Sequence, residues 1–233
     1  KTSTPIKTPS TTELPNWISK VKSEPAPPRP LSPSGIVNMF DIEPSPKLMR
    51  GIGNENALLR GNAVHHLLQI LPDIEPQKHK AVMEKYFATS EAIFLEAEQL
   101  EIEKQVNGIL NSPDLQALFA DGSRSEVELS GKVKIRGQEY LVRGVIDRLV
   151  VTDQTLSIID YKTNKSVPKS VDDTPSEYLL QMALYHQLIK PLYPDRKIEA
   201  ALVWTQNASI MAISAEMLDN EMDKLNKSLP LPS

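Results

Sequence analysis

A β-forming block between Gly122 and Thr163 constrains this chain more than any other stretch. Val127, Leu129, Val133, Ile135, Tyr140, Val142, Val145, Leu149, Val151, Leu156, Ile158 and Ile159 recur through it. Ser130-Gly131, Arg136-Gly137 and Thr152-Asp153-Gln154 read as turns that fold the block into a meander. Such a sheet must bury its apolar faces, and the flanking sequence supplies helices for that. Leu58, Leu59, Val64, Leu67, Leu68 and Leu71 follow three- and four-residue spacing until Pro72 ends the run. Helices are expected over 78–87 and 90–110, with a short one beginning at Pro113. Beyond a polar loop at 165–176 the pattern predicts a helix at 177–189 and a strand at 198–204. Residues 210–213 read as its hairpin partner across Gln206-Asn207, and 215–227 as a last amphipathic helix. This order predicts an α/β or α+β fold, a central mixed sheet flanked by helices, with an additional N-terminal helical part.

Ten of the 19 prolines lie between Pro5 and Pro46. Proline lacks the backbone donor and fixes φ, so this stretch sustains neither a helix nor a central strand. Residues 1–48 therefore read as a linker or arm, whose Leu14, Trp17, Ile18, Val37, Met39 and Phe40 offer docking side chains. Residues 49–233 read as one domain, a reasonable size for a single core. The start at Lys1 and the polar, proline-studded opening suggest a piece of a longer chain. No cysteine occurs among the 233 residues, which excludes disulfides, thiolate metal sites and a cysteine nucleophile. The net charge of −4 argues against a globally basic surface that attracts phosphate at long range. No signal peptide or apolar run of membrane-spanning length is present.

Two apolar runs carry acids: Gly144-Val145-Ile146-Asp147-Arg148-Leu149 and Ile158-Ile159-Asp160-Tyr161-Lys162-Thr163. An ionised carboxylate in such a run is costly unless it is paired or bound to metal. If residues 153 and 154 form a two-residue turn, the hairpin register places Asp147 opposite Asp160, on one face of an antiparallel pair. Facing carboxylates repel, and a hard cation between them relieves this; oxygen ligands without cysteine favour Mg²⁺ or Mn²⁺. Lys162 shares the face of Asp160, where a lysine offsets developing phosphate charge or orients water. The plain alternative is an ordinary ion pair between Asp147 and Arg148 or Lys162. Gly61 and His65 are one turn apart on the first helix, as are Gln181 and Tyr185 on the later one. Either pair alone reads equally as helix packing.

Together these residues resemble the RecB-type PD-(D/E)XK nucleases. Gly61-x-x-x-His65, Gly144-Val-Ile-Asp147-Arg148, Asp160-Tyr-Lys162-Thr163 and Gln181-x-x-x-Tyr185 stand in that family's order. The pattern is most similar to the C-terminal nuclease domains of AddA-type helicase–nucleases, over about residues 55–215. The resemblance implies a restriction-endonuclease-like core and a Mg²⁺-dependent exonuclease, with Mn²⁺ able to substitute. It implies metal ligation by His65, Asp147, Asp160 and the Tyr161 carbonyl. Lys162 would be the catalytic lysine, with Gln181 and Tyr185 contacting DNA or supporting the site. Glu126 in Ser125-Glu126-Val127-Glu128 resembles an acid often found on the first strand, with Glu128 as an equal-parity rival. The iron–sulfur branches of the family need cysteines that this chain lacks.

The implied partners are single-stranded DNA from double-strand ends, helicase domains of the same parent chain, and an AddB-like subunit. ATP would serve only those helicase domains, since no G-x-x-x-x-G-K-[ST] loop occurs here. The implied place is the bacterial cytoplasm, at the nucleoid. Arg136, Arg143, Arg148, Lys165 and Lys169 are candidate phosphate contacts. Two other readings compete: a non-catalytic DNA- or subunit-docking module with this fold, and a stand-alone RecB-family exonuclease.

Overall fold

The computed structural model describes residues 30–33, 36 and 55–227. Three helices come first: α1 (Glu55–Ile70), α2 (His79–Thr89) and α3 (Glu96–Leu110). Then follow β1 (Ser123–Ile135), β2 (Gln138–Val151), β3 (Thr155–Lys162), α4 (Ser176–Ile189), β4 (Lys197–Trp204), β5 (Ser209–Ile213) and α5 (Ala215–Lys227). The strands form one mixed sheet in chain order: β3 and β4 pair in parallel through α4, and all other neighbours are antiparallel. This is the expected α/β fold.

Pro72 ends α1 in a short 3-10 turn, Leu71–Asp73. The expected helix over 90–110 starts later, at Glu96, because Glu98 folds back to accept the Leu95 N–H at 3.1 Å and sets the helix start there. Ser130-Gly131 is not a turn; both residues run inside β1. Gly131 is instead a packing site, since a Cβ there would stand 2.9 Å from Leu188 Cδ2 of α4. The turn falls at Arg136-Gly137, where both residues take positive φ (51° and 80°), the conformation a two-residue hairpin requires.

Two apolar cores lie on opposite faces of the sheet. Ile146, Leu156, Ile158 and Leu202 pack against α4 and α5. Val150, Ile159, Tyr161 and Val203 pack against α1, α3 and the 3-10 turn Pro113–Phe119. On β2, Ile146 and Leu149 belong to the first core and Val150 to the second, so strict alternation fails between them. The β1–β2 ladder is interrupted at the same place, between Ser125↔Arg148 and Val127↔Ile146. There Glu126 takes φ 52°. The sheet bends at this row, a device that re-aims side chains near functional sites.

Part of the proline-rich arm belongs to this unit. Leu31 bridges Val142 in parallel, through Leu31 N–H to Leu141 O (2.8 Å) and Arg143 N–H to Leu31 O (2.9 Å). It uses the side of β2 that β3, paired only along 148–151, leaves open. Ile36 is fully buried in the α4 core. Leu14, Trp17, Ile18, Val37, Met39 and Phe40 lie outside the described residues. Among the described residues, no helix is long and apolar enough to cross a membrane.

Candidate active site

The β2–β3 turn fixes the site. Val151↔Leu156, Val150↔Ser157, Leu149↔Ile158 and Arg148↔Ile159 are paired, and one further step along this register sets Asp147 against Asp160. At that step the Asp147 carboxylate replaces a ladder bond, its Oδ2 accepting the Tyr161 N–H at 2.7 Å. Its Oδ1 lies 3.3 Å from His65 Nδ1 of α1. Continuing the β1–β2 register sets Glu126 against Asp147, so three acids share one row across the bend. Glu128 is drawn away, its carboxylate accepting from Arg143 Nη2 at 2.7 Å.

Asp160 is almost completely buried, and its Oδ2 lies 2.6 Å from Lys162 Nζ. Lys162 is buried too, which a lysine tolerates only with partners. Its ammonium donates to Gln181 Oε1 (2.8 Å) and sits 4.1 Å from the centre of the Tyr178 ring. Gln181 Nε2 donates to Tyr185 Oη (3.2 Å), and Tyr185 donates on to the Val145 carbonyl (2.6 Å). One face of α4 thereby holds the lysine through a chain that ends on the backbone of β2. Gly144 admits that chain: a Cβ there would meet Tyr185 Cε1 at 2.6 Å and Pro33 Cδ at 3.4 Å. Gly61 plays a matching part on α1, where a Cβ would stand 3.0 Å from Thr163 Oγ1.

His65, Asp147, Asp160, Lys162, Tyr178 and Gln181 line a cleft of about 740 Å³ between α1, α3, the end of β3 and α4. A smaller cavity, lined by Asn62, His65, His66, Gln69, Glu126 and Asp147, adjoins it. Burial pushes the Asp160 carboxyl up to about 6, with Asp147 adding to the effect and Lys162 opposing it. Burial lowers the His65 imidazole, but its hydrogen bond to Asp147 and the two nearby acids outweigh this and raise it overall. Burial and the charge of Asp147 also raise Glu126.

His65, Asp147, Asp160, Lys162 and Gln181 come together in the cleft. Tyr185 lies under it, 3% exposed, holding Gln181 rather than facing the opening. Tyr161 sends its side chain into the helical core, where its hydroxyl accepts from Arg148 Nε at 2.9 Å. Arg148 is therefore no phosphate contact. It is 4% exposed and also donates to Ser123 Oγ (2.8 Å) and the Leu68 carbonyl (2.7 Å). Nor does it pair with Asp147. Arg136 bonds the end of α5 through the Leu225 carbonyl and Asn226. Tyr178 escaped the sequence reading; its spacing of three residues before Gln181 on one helix face was the available signal.

Among the described residues, no three His, Asp or Glu side chains stand arranged to hold an ion as they are placed. The acids are turned to protein partners: Asp147 to Tyr161 N–H and His65, Asp160 to Lys162. The donor set still fits a hard divalent cation, with carboxylates from facing register positions and an imidazole beside them. The buried Asp160 Oδ2 has the Lys162 ammonium at 2.6 Å, a positive charge where a bound cation would also sit close.

The profile of the PD-(D/E)XK nuclease superfamily matches residues 47–227. The chain belongs to that superfamily. Curated proteins match parts of the chain at 22–34% identity. An ATP-dependent helicase/nuclease subunit from Streptococcus sanguinis (strain SK36) is 25% identical over 161 residues, covering 67% of this chain and 13% of that protein. The protein of the same name from Streptococcus agalactiae serotype Ia is 34% identical over 67 residues, 29% of this chain and 5% of that one. That from Streptococcus pyogenes serotype M12 (strain MGAS2096) is 22% identical over 147 residues, 57% and 11%. The chain thus spans only 5–13% of the length of these relatives.

Proposed function

We propose that the chain is the nuclease domain of an AddA-like helicase–nuclease, an exonuclease that hydrolyses phosphodiester bonds of single-stranded DNA during double-strand-break repair by recombination. The observation that carries this reading is the Asp147–Asp160–Lys162 arrangement inside one cleft, in a chain of the nuclease superfamily. Asp147, Asp160, His65 and the Tyr161 carbonyl would hold Mg²⁺, or Mn²⁺ in its place. A cation bound there supplies Lewis-acid polarisation of a phosphoryl oxygen and a more acidic water.

The chain's own residues do the positioning. Gln181 and the Tyr178 ring hold the Lys162 ammonium, which offsets charge on the phosphate and orients the attacking water. Tyr185 fixes Gln181 from beneath and acts as a positioning residue. Glu126 and His66 border the cleft on the far side of Asp147. The proposed metal and lysine act on the phosphodiester alone, so cleavage is expected to be largely independent of sequence. Helicase domains of the parent chain, driven by ATP, and an AddB-like subunit would deliver the strand in the bacterial cytoplasm. The modest acidity of the chain fits a domain that is handed its DNA.

The test is degradation of end-labelled single- and double-stranded DNA with Mg²⁺, with Mn²⁺ and with chelator. Metal-dependent loss of label from the single strand first is expected. Equal degradation in chelator, or none in any metal, overturns the reading.

A further inference from the structure

Three cations line the cleft among the described residues: Arg60, Lys162 and Lys165. Lys162 is committed to its floor. Arg60 adjoins Gly61, and Lys165 follows Thr163 by two residues. The near contact of Gly61 with Thr163 therefore brings both cations to one part of the rim. Each faces an acid of α3. Arg60 Nη1 lies 2.8 Å from Glu98 Oε1, and Lys165 Nζ lies 4.0 Å from Glu101 Oε1. Glu98 and Glu101 are three residues apart and so share one helix face.

We infer that Arg60 and Lys165 form a second phosphate position, which takes the backbone of the single strand beside the bond being cut. This rests on the nuclease reading of the same cleft. A strand crossing the cleft needs contacts on either side of the reacting phosphate, because phosphate contacts position a nucleic acid without reading it. Asp147 and Asp160 repel that backbone unless a cation covers them. The two rim cations are the remaining charges of the required sign lining the cleft. Glu98 keeps the guanidinium in place, for its Oε2 is itself fixed by the Leu95 N–H. A guanidinium has five donors in a planar fork, so Arg60 can hold Glu98 and a phosphate oxygen together. Lys165 is 73% exposed and its pairing with Glu101 is long, so a phosphate displaces that acid readily.

Anisotropy of a labelled oligothymidylate with the full chain in calcium tests this, across salt concentrations and with the oligonucleotide verified intact afterwards. Arg60→Gln and Lys165→Gln are each expected to weaken binding several-fold and to lower the salt slope by about 0.7, one single-strand phosphate contact. A double variant, Arg60→Glu with Glu98→Arg, re-forms the pair between α1 and α3 but takes the cation out of the cleft. It is expected to fold and still bind weakly. Wild-type affinity in that double variant, unchanged slopes in both single variants, or no binding by the wild type overturns the rim. If the slopes stay unchanged while the wild type degrades DNA with Mg²⁺, the rim falls and the nuclease reading stands.

Discussion

Gly144 and Tyr185 approach so closely that a methyl group on the glycine would stand 2.6 Å from Cε1 of the ring. The ring carries the hydroxyl that joins Val145 to Gln181, and Gln181 holds Lys162. Gly144→Ala is expected to push the ring aside, costing about 1–3 kcal/mol by overpacking. Cleavage should fall at least about tenfold, as small misplacement of a reacting group does. Tyr185→Phe keeps the ring and removes only the hydroxyl; kcat is expected to fall with KM little changed. Urea unfolding and single-turnover cleavage check both. Wild-type turnover in the two variants would show that Lys162 does not depend on this chain of contacts.

Arg148 neighbours Asp147 in sequence but serves the opposite face of the sheet. Its guanidinium joins the end of α1, Ser123 and Tyr161, beneath the Phe119 ring at 4.7 Å. Arg148→Met is expected to cost about 3 kcal/mol or more, since charged hydrogen bonds contribute about 1.5–3 kcal/mol each. Arg148→Lys should recover little, because a lysine cannot span three separated acceptors. Urea midpoints measure this.

Much of the site was legible because hairpin arithmetic depends only on turn length. Once residues 153 and 154 turn the chain, Asp147 and Asp160 must face each other. Helix periodicity likewise united Gln181 with Tyr185. The face of Arg148 followed from simple alternation with Asp147; what the bend at Glu126 hid is that Ile146, two residues before Arg148, packs on the other face. Gly131 looked like a turn because a glycine required by close packing has the same letter as one required by positive φ. The fit of Leu31 and Ile36 onto the sheet was equally hidden. Nothing in a proline-rich stretch announces which of its few apolar residues meets a partly open strand.

Ile36 offers a direct test of that docking. It is fully buried, so Ile36→Ala is expected to destabilise the chain by about 2–5 kcal/mol. A chain beginning at residue 49 should lose at least as much. Thermal unfolding of both variants decides. Unchanged stability would mean that the arm only rests on the domain.

The acids of the cleft set a pH dependence of definite sign. Asp160 is raised to about 6 by burial, so the folded chain binds its proton more tightly than the unfolded chain does. Its contribution to stability therefore falls as pH rises from the ordinary 3.8 to about 6. His65 is raised as well, so its contribution is complete below 6.5 and is lost as pH rises through its folded value. In chelator, wild type should lose stability between about pH 4 and pH 6 more steeply than Asp160→Asn does. Added Mn²⁺ should stabilise the wild type more at the alkaline end, because it needs the ionised acids. Parallel pH curves for the two proteins would contradict this role of Asp160.

The most direct measurement is single-strand cleavage in Mg²⁺ by wild type, Asp160→Asn and Lys162→Gln side by side, with Mn²⁺ binding measured on each. Asp160→Asn is expected to lose both cleavage and tight Mn²⁺ binding. Lys162→Gln should bind Mn²⁺ and still lose cleavage by at least about a hundredfold, the scale of removing one transition-state donor. Cleavage at the wild-type rate by either variant, with its fold intact, would contradict a metal-dependent nuclease site at Asp147, Asp160 and Lys162.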